Sequence, residues 1–150
     1  MKKFIITGGV IIILLVVFIV HLSNENKELK EGIGTNYMYV VNTTAFKTEL
    51  YMDIEEHEFA EMLDSHKTTL LTMMKSFRFF PDNIEVYASQ FFYDQIIDIN
   101  NYLSNPEPND LENIISRGKT FHKSLLTIKE QLGENPITWY KEIHYIGLAK

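Results

Sequence analysis

Apolar residues divide the chain into two parts with different rhythms. From Phe4 to Leu22, nineteen residues long, Ile, Val, Leu and Phe fill almost every position and no residue is charged. A helix of that length spans roughly 28 Å at about 1.5 Å per residue, close to the thickness of a hydrocarbon core. A soluble helix carries a polar stripe at 3.6-residue spacing, and this segment has none, so it reads as a transmembrane helix with lipid on all sides. Gly8 and Gly9 within it leave room for close helix packing, but the GxxxG spacing is missing, and flexible packing with no specific partner is the reading adopted. A cleaved signal peptide begins in the same way. The apolar run is longer than an ordinary signal core, however, and no small-x-small site follows it directly.

From Asn36 onward the pattern is that of amphipathic helices. Tyr37, Val41, Ala45 and Thr48 recur at helical spacing, although Tyr-Met-Tyr-Val-Val between 37 and 41 also favours a strand. Helix is the reading adopted for 36–53, because a lone strand has nothing to pair with. Phe59, Leu63, His66, Leu70, Met73, Phe77 and Phe80 then draw one stripe in alternating steps of four and three. Pro81 disfavours helical geometry at Phe80 and marks a stop. Asp82 with Glu85 forms a candidate capping box. The helix behind it buries Ala88, Phe92, Ile96, Ile99 and Leu103. Pro106 and Pro108 predict a non-helical loop, and Asn109 with Glu112 predicts the next cap. Leu111, Ile114, Gly118, Phe121, Leu125, Ile128 and Leu132 form the most regular stripe in the chain. Gly118 within that seam admits a neighbouring backbone or a large aromatic. Gly133 is placed as a C-cap, and Asn135-Pro136 restarts a short helix.

These elements predict an all-α fold, an N-terminal transmembrane helix followed by an up-and-down bundle of three or four helices. The expected organisation is a cytoplasmic tail at 1–3, the membrane helix at 4–22, a linker at 23–35 that breaks at Gly32 and Gly34, and a helical domain at 36–150. Lys2 and Lys3 precede the apolar segment, whereas the stretch after it is mixed and slightly acidic. The positive-inside rule therefore predicts a single-pass protein of the cell membrane, with its N-terminus in the cytoplasm and its domain extracytoplasmic.

Charge narrows the partners. Fourteen basic and twenty acidic residues give a formal net charge of −6. Without Lys2 and Lys3 the remainder stands at −8, a sign that repels phosphate backbones, so no nucleic-acid partner is expected. Cysteine is absent, which removes disulfides, thiolate catalysis and cysteine-based metal sites.

Candidate chemistry is sparse. His57 and Glu61 lie four apart on one helix face, as metal ligands often do, but a zinc-protease HExxH motif has His where Glu61 stands, and no third ligand is apparent. A solvated acidic face is the reading adopted for Glu55–Glu61. His66 falls within an apolar stripe and His122 beside another, positions typical of histidines at a core edge. Asn42-Thr43-Thr44 matches a glycosylation sequon. There is no nucleophile elbow, phosphate loop or cofactor motif, so neither an enzyme nor a cofactor is expected. The aromatic surplus is the remaining signal. Phe77, Phe79, Phe80, Phe91, Tyr93, Trp139, Tyr140 and Tyr145 form an exposed partner surface unless another helix or the C-terminal segment covers them.

The expected function is a membrane-anchored interaction module, an accessory or immunity-type protein of a bacterial cell envelope system. Its expected partners are membrane lipid and either another envelope protein or a second copy of itself. The alternative is an extracytoplasmic domain that senses a ligand or metal ion and acts through a membrane partner.

Overall fold

A computed structural model describes the backbone of residues 2–146 and, within that range, all side chains except those of residues 2–12, 108, 145 and 146. Six α-helices and one 3-10 turn follow one another: α1 Lys2–Thr48, α2 Leu50–Asp53, α3 Glu56–Ser76, the turn Phe77–Phe79, α4 Asp82–Ser104, α5 Pro108–Leu132 and α6 Pro136–Ile146. The fold is an all-α bundle. Among the described residues no helix is long and apolar enough to cross a membrane. Gly8 and Gly9 lie outside the described side chains, as does the N-terminal half of the Phe4–Leu22 segment.

The first helix departs most from expectation. α1 does not break at Gly32 and Gly34, and the residues expected to form a linker are helical throughout. Glycine costs about 1 kcal/mol in a helix interior, a penalty that neighbouring turns and tertiary contacts absorb. Exposed i,i+4 pairs on this stretch add a few tenths each, His21 with Glu25 at 3.2 Å and Lys27 with Glu31 at 3.7 Å. Gly34 has a packing role, since a β-carbon there would lie 1.8 Å from the Pro136 carbonyl oxygen. The missing side chain lets α6 cross α1 backbone against side.

The other three main helices follow their stripes. α3 packs against α4, α4 against α5 and α5 against α1, with α6 laid on α1. Contact pairs show the directions alternating. Tyr37 meets Phe80 while Tyr51 meets His66, and Lys67 meets Asn100 while Phe77 meets Phe92. Asp98 meets Arg117 while Phe91 meets Phe121. All seven residues of the α3 stripe, carried through the 3-10 turn to Phe80, are buried, as are Tyr37, Val41, Ala45 and Thr48 of α1. Phe80 is extended ahead of Pro81, as the proline requires. Leu103 is instead exposed in the last turn of α4, and Gln95 takes a core position beside Ile99.

Helix ends diverge from the sequence reading at two places. Asp82 is the first residue of α4, Pro81 occupies its N-cap, and no side-chain cap bond forms, so the Asp82–Glu85 box is not made. α5 begins at Pro108, one residue before the expected cap at Asn109, because proline at the first helical position loses no hydrogen bond. Gly133 does cap α5, with φ 62°, and the Asn135 side chain accepts from the Ile137 N–H at 2.9 Å at the start of α6.

Candidate functional site

Three places collect side chains capable of chemistry or recognition. The first lies inside the bundle. α1 ends at Thr48 and the short α2 folds Tyr51 beneath it, where the phenol ring fills the space left by Gly118 of α5. The Tyr51 hydroxyl is hydrogen-bonded to His66 Nε2, and the two rings meet edge-on at 4.9 Å. Phe59 closes the other side, 5.4 Å from each ring. Burial pushes the Tyr51 phenol up and the His66 imidazole down to about 4, so both are neutral at ordinary pH. One neutral group then donates and the other accepts, according to the imidazole tautomer. One helical turn away, Thr48 Oγ1 donates to the Thr44 carbonyl at 2.9 Å and lies 3.1 Å from His122 Nδ1. Gln95 donates to the Ile114 carbonyl at 3.3 Å, leaving its Oε1 buried without a protein partner. These groups are buried within the bundle, away from any open cleft. They fix how the helices meet.

The second place is an open cleft of about 1080 Å³ where the N-terminal ends of α3 and α5 adjoin the C-terminal end of α4. Glu55, Glu56, Glu107 and Glu112 line it, with His57 and Lys119 among them and Tyr102 on the wall. His57 Nδ1 lies 3.4 Å from Glu55, both exposed. Glu61 is not among the lining residues, and no three His, Asp or Glu side chains converge on a metal position among the described residues. The open acidic rim is suited to attracting cations or basic segments.

The third is the surface. Of the aromatics expected to form a partner patch, Phe79 and Tyr93 are exposed, Phe91 and Tyr140 are half-buried, and the Tyr145 side chain is outside the described set. Phe77, Phe80 and Trp139 belong to the core instead. Phe77 and Phe80 stack into it from either side of the 3-10 turn, and the Trp139 indole N–H donates to the Gly133 carbonyl at 2.7 Å. A bundle with a sixth helix covers more aromatic area than three or four helices would. Phe91 stacks on Phe121 at 3.9 Å in an apolar groove of about 460 Å³ between α4 and α5, with Tyr87 at its rim. Arg117 bonds Asp98 and lies 3.8 Å from Asp94 along the same groove, an exposed pairing that adds little stability. Exposed aromatics that the α3 to α5 stripes gave no sign of are Tyr39 and Phe46 on α1 and Tyr87 on α4. The Asn42 sequon is turned inward, its amide oxygen buried.

Comparison with known proteins finds no matching family model, curated relative or solved structure.

Proposed function

We propose that this chain is a single-pass membrane protein that holds a helical interaction module at the outer face of the membrane, where it serves a bacterial envelope system as an accessory or immunity-type protein. The observation carrying the proposal is the two-sided character of α1. Beyond Ile33 this helix is built into the bundle, whereas Ile13–Val20 present eight consecutive apolar side chains, each 54–64% exposed, on every face of the same helix. Water does not support such a surface, and no bundle helix covers it, so the solvent it fits is lipid. The proposed span is Phe4–Leu22, with Lys2 and Lys3 holding the N-terminus in the cytoplasm.

Continuity of α1 gives the module a rigid post in place of a flexible tether. From Leu22 to Gly34 the helix rises about 18 Å, which lifts the bundle clear of the headgroups and fixes its orientation. The acidic surface, the exposed Tyr39, Phe46, Phe79, Tyr87 and Tyr93, and the sealed polar core favour recognition of a protein over catalysis. Fractionation of cells making the full chain tests the anchor. Retention in the membrane pellet through an alkaline carbonate wash is expected, and substituting Val16→Arg with Ile19→Arg is expected to release the chain. Extraction of the unaltered chain by carbonate contradicts the reading.

A further inference from the structure

The outer face of α1 carries a second stripe that the bundle does not use. Leu22, Leu29, Asn36 and Thr43 are seven residues apart, and Glu25, Gly32, Tyr39 and Phe46 fall between them in steps of three and four. All are exposed except the half-buried Thr43, and the large apolar members are bare to water, Leu22 at 47%, Leu29 at 64%, Tyr39 at 66% and Phe46 at 76%. This is the spacing of a coiled-coil seam, on a helix whose opposite face is packed against α5 and α6. Aromatic and leucine side chains this bare, recurring along one line of one rigid helix, leave that line largely uncovered by the described residues.

We propose that two copies pair in parallel along this face, with Leu29, Gly32, Asn36, Tyr39, Thr43 and Phe46 as the seam. The inference rests on the anchor proposed above, which holds every copy in the same plane with the same end of α1 in the membrane. A parallel, in-register approach is then the natural one, and confinement raises the effective concentration of the second copy. Self-complementarity favours a second copy over an unrelated helix, because a heptad line on one copy meets the same line on the other. Gly32 supplies the hole. A β-carbon there would meet nothing within 4 Å, and the helix surface beside it is hollowed into a groove of about 490 Å³ between α1 and Phe79. Leu29 lines the same groove, so a knob from the partner helix enters where the seam is thinnest. Asn36, a polar residue at one seam position, favours two strands in a single register. Glu25 weakens the seam at its membrane end, although His21 lies 3.2 Å away. The close contact therefore runs from Leu29 to Phe46.

The chain has no cysteine, so single introduced cysteines report the seam directly. Leu29→Cys, Asn36→Cys, Tyr39→Cys and Phe46→Cys replace exposed side chains and leave the core intact. Lys27→Cys, Ser65→Cys and Lys123→Cys, also exposed, lie off the seam. Each full-length variant, made in cells alongside a second copy carrying a different tag, is oxidised in its own membranes. A disulfide needs α-carbons roughly 4.4–6.8 Å apart, so seam variants are expected to yield an adduct of twice the chain mass, containing both tags, about fivefold or more above the off-seam variants. Adducts that are absent, or equal at all seven positions, in chains that remain in the membrane overturn the pairing and leave the anchor standing. Adducts containing another protein also overturn it. Recovery of the unaltered chain in the carbonate-soluble fraction overturns the anchor, and the parallel pairing with it.

Discussion

Gly118 and the ring of Tyr51 occupy one another's space. A β-carbon at 118 would lie 2.4 Å from the ring, and that ring is fully buried with no room to retreat. Gly118→Ala gains up to about 1 kcal/mol of helix propensity but forces overpacking that costs about 1–3 kcal/mol. The second effect dominates, and the melting temperature of the full chain in detergent is expected to fall by roughly 5 °C or less. His66 makes a prediction of a different kind. Above pH 6.5 neither folded nor unfolded chain protonates this imidazole. Between 6.5 and about 4 only the unfolded chain does, so stability is lost progressively as the solution is acidified through that window. The expected slope approaches about 1.4 kcal/mol per pH unit, measurable as a falling urea midpoint. His66→Gln keeps an acceptor for the Tyr51 hydroxyl and is expected to flatten the profile. An unchanged slope in that variant would assign the acid sensitivity to other groups.

Helices were legible in the sequence wherever one face had to be buried. The α3 stripe identified its core residue by residue, because a single period of burial runs unbroken from Phe59 to Phe80. Gly32 and Gly34 misled for a physical reason, since local propensity reports the cost of glycine and is blind to what crosses it. The two glycines are expected to behave differently. Gly34→Ala drives a methyl group into the Pro136 backbone and is expected to displace α6, shifting the emission of Trp139, the chain's sole tryptophan, to the red. Gly32→Ala meets open space and is expected to leave that emission unchanged, with α1 equally or slightly more stable. Equal effects from the two substitutions would contradict the described crossing of α1 and α6. The missed caps at Asp82 and Asn109 both adjoin a proline, but at different positions. Pro81 takes the N-cap of α4, and Pro108 the first helical position of α5, so both helices begin earlier than expected. The candidate surface was less legible. Aromatic clustering alone cannot separate Phe77 and Phe80, turned inward by the 3-10 turn, from Phe79, turned outward. Tyr39 and Phe46 carried a usable signal in the heptad line through Leu29, on the face of α1 opposite its core positions.

At the scale of the molecule, the proposed function has one helix join two environments. Ile13–Val20 present apolar side chains on every face, Ser23–Glu28 are polar and exposed, and the stretch beyond Ile33 is a wall of the bundle. A rigid connection of this sort sets the height and rotation of the bundle, which a flexible linker would leave free. In the proposed pairing it also lines up the outer faces of the two copies. The buried Tyr51–His66 and Thr48–His122 bonds tie α1 and α2 to α3 and α5, so the post and the bundle move together. The proposed role in the cell envelope depends on which side of the membrane the bundle occupies. Lys123→Cys places one thiol on the exposed face of α5 in a chain that otherwise has none. Labelling intact cells with a membrane-impermeant maleimide tests the topology most directly. Full labelling before lysis is the expected result, and labelling that appears only after lysis would contradict an outward-facing bundle.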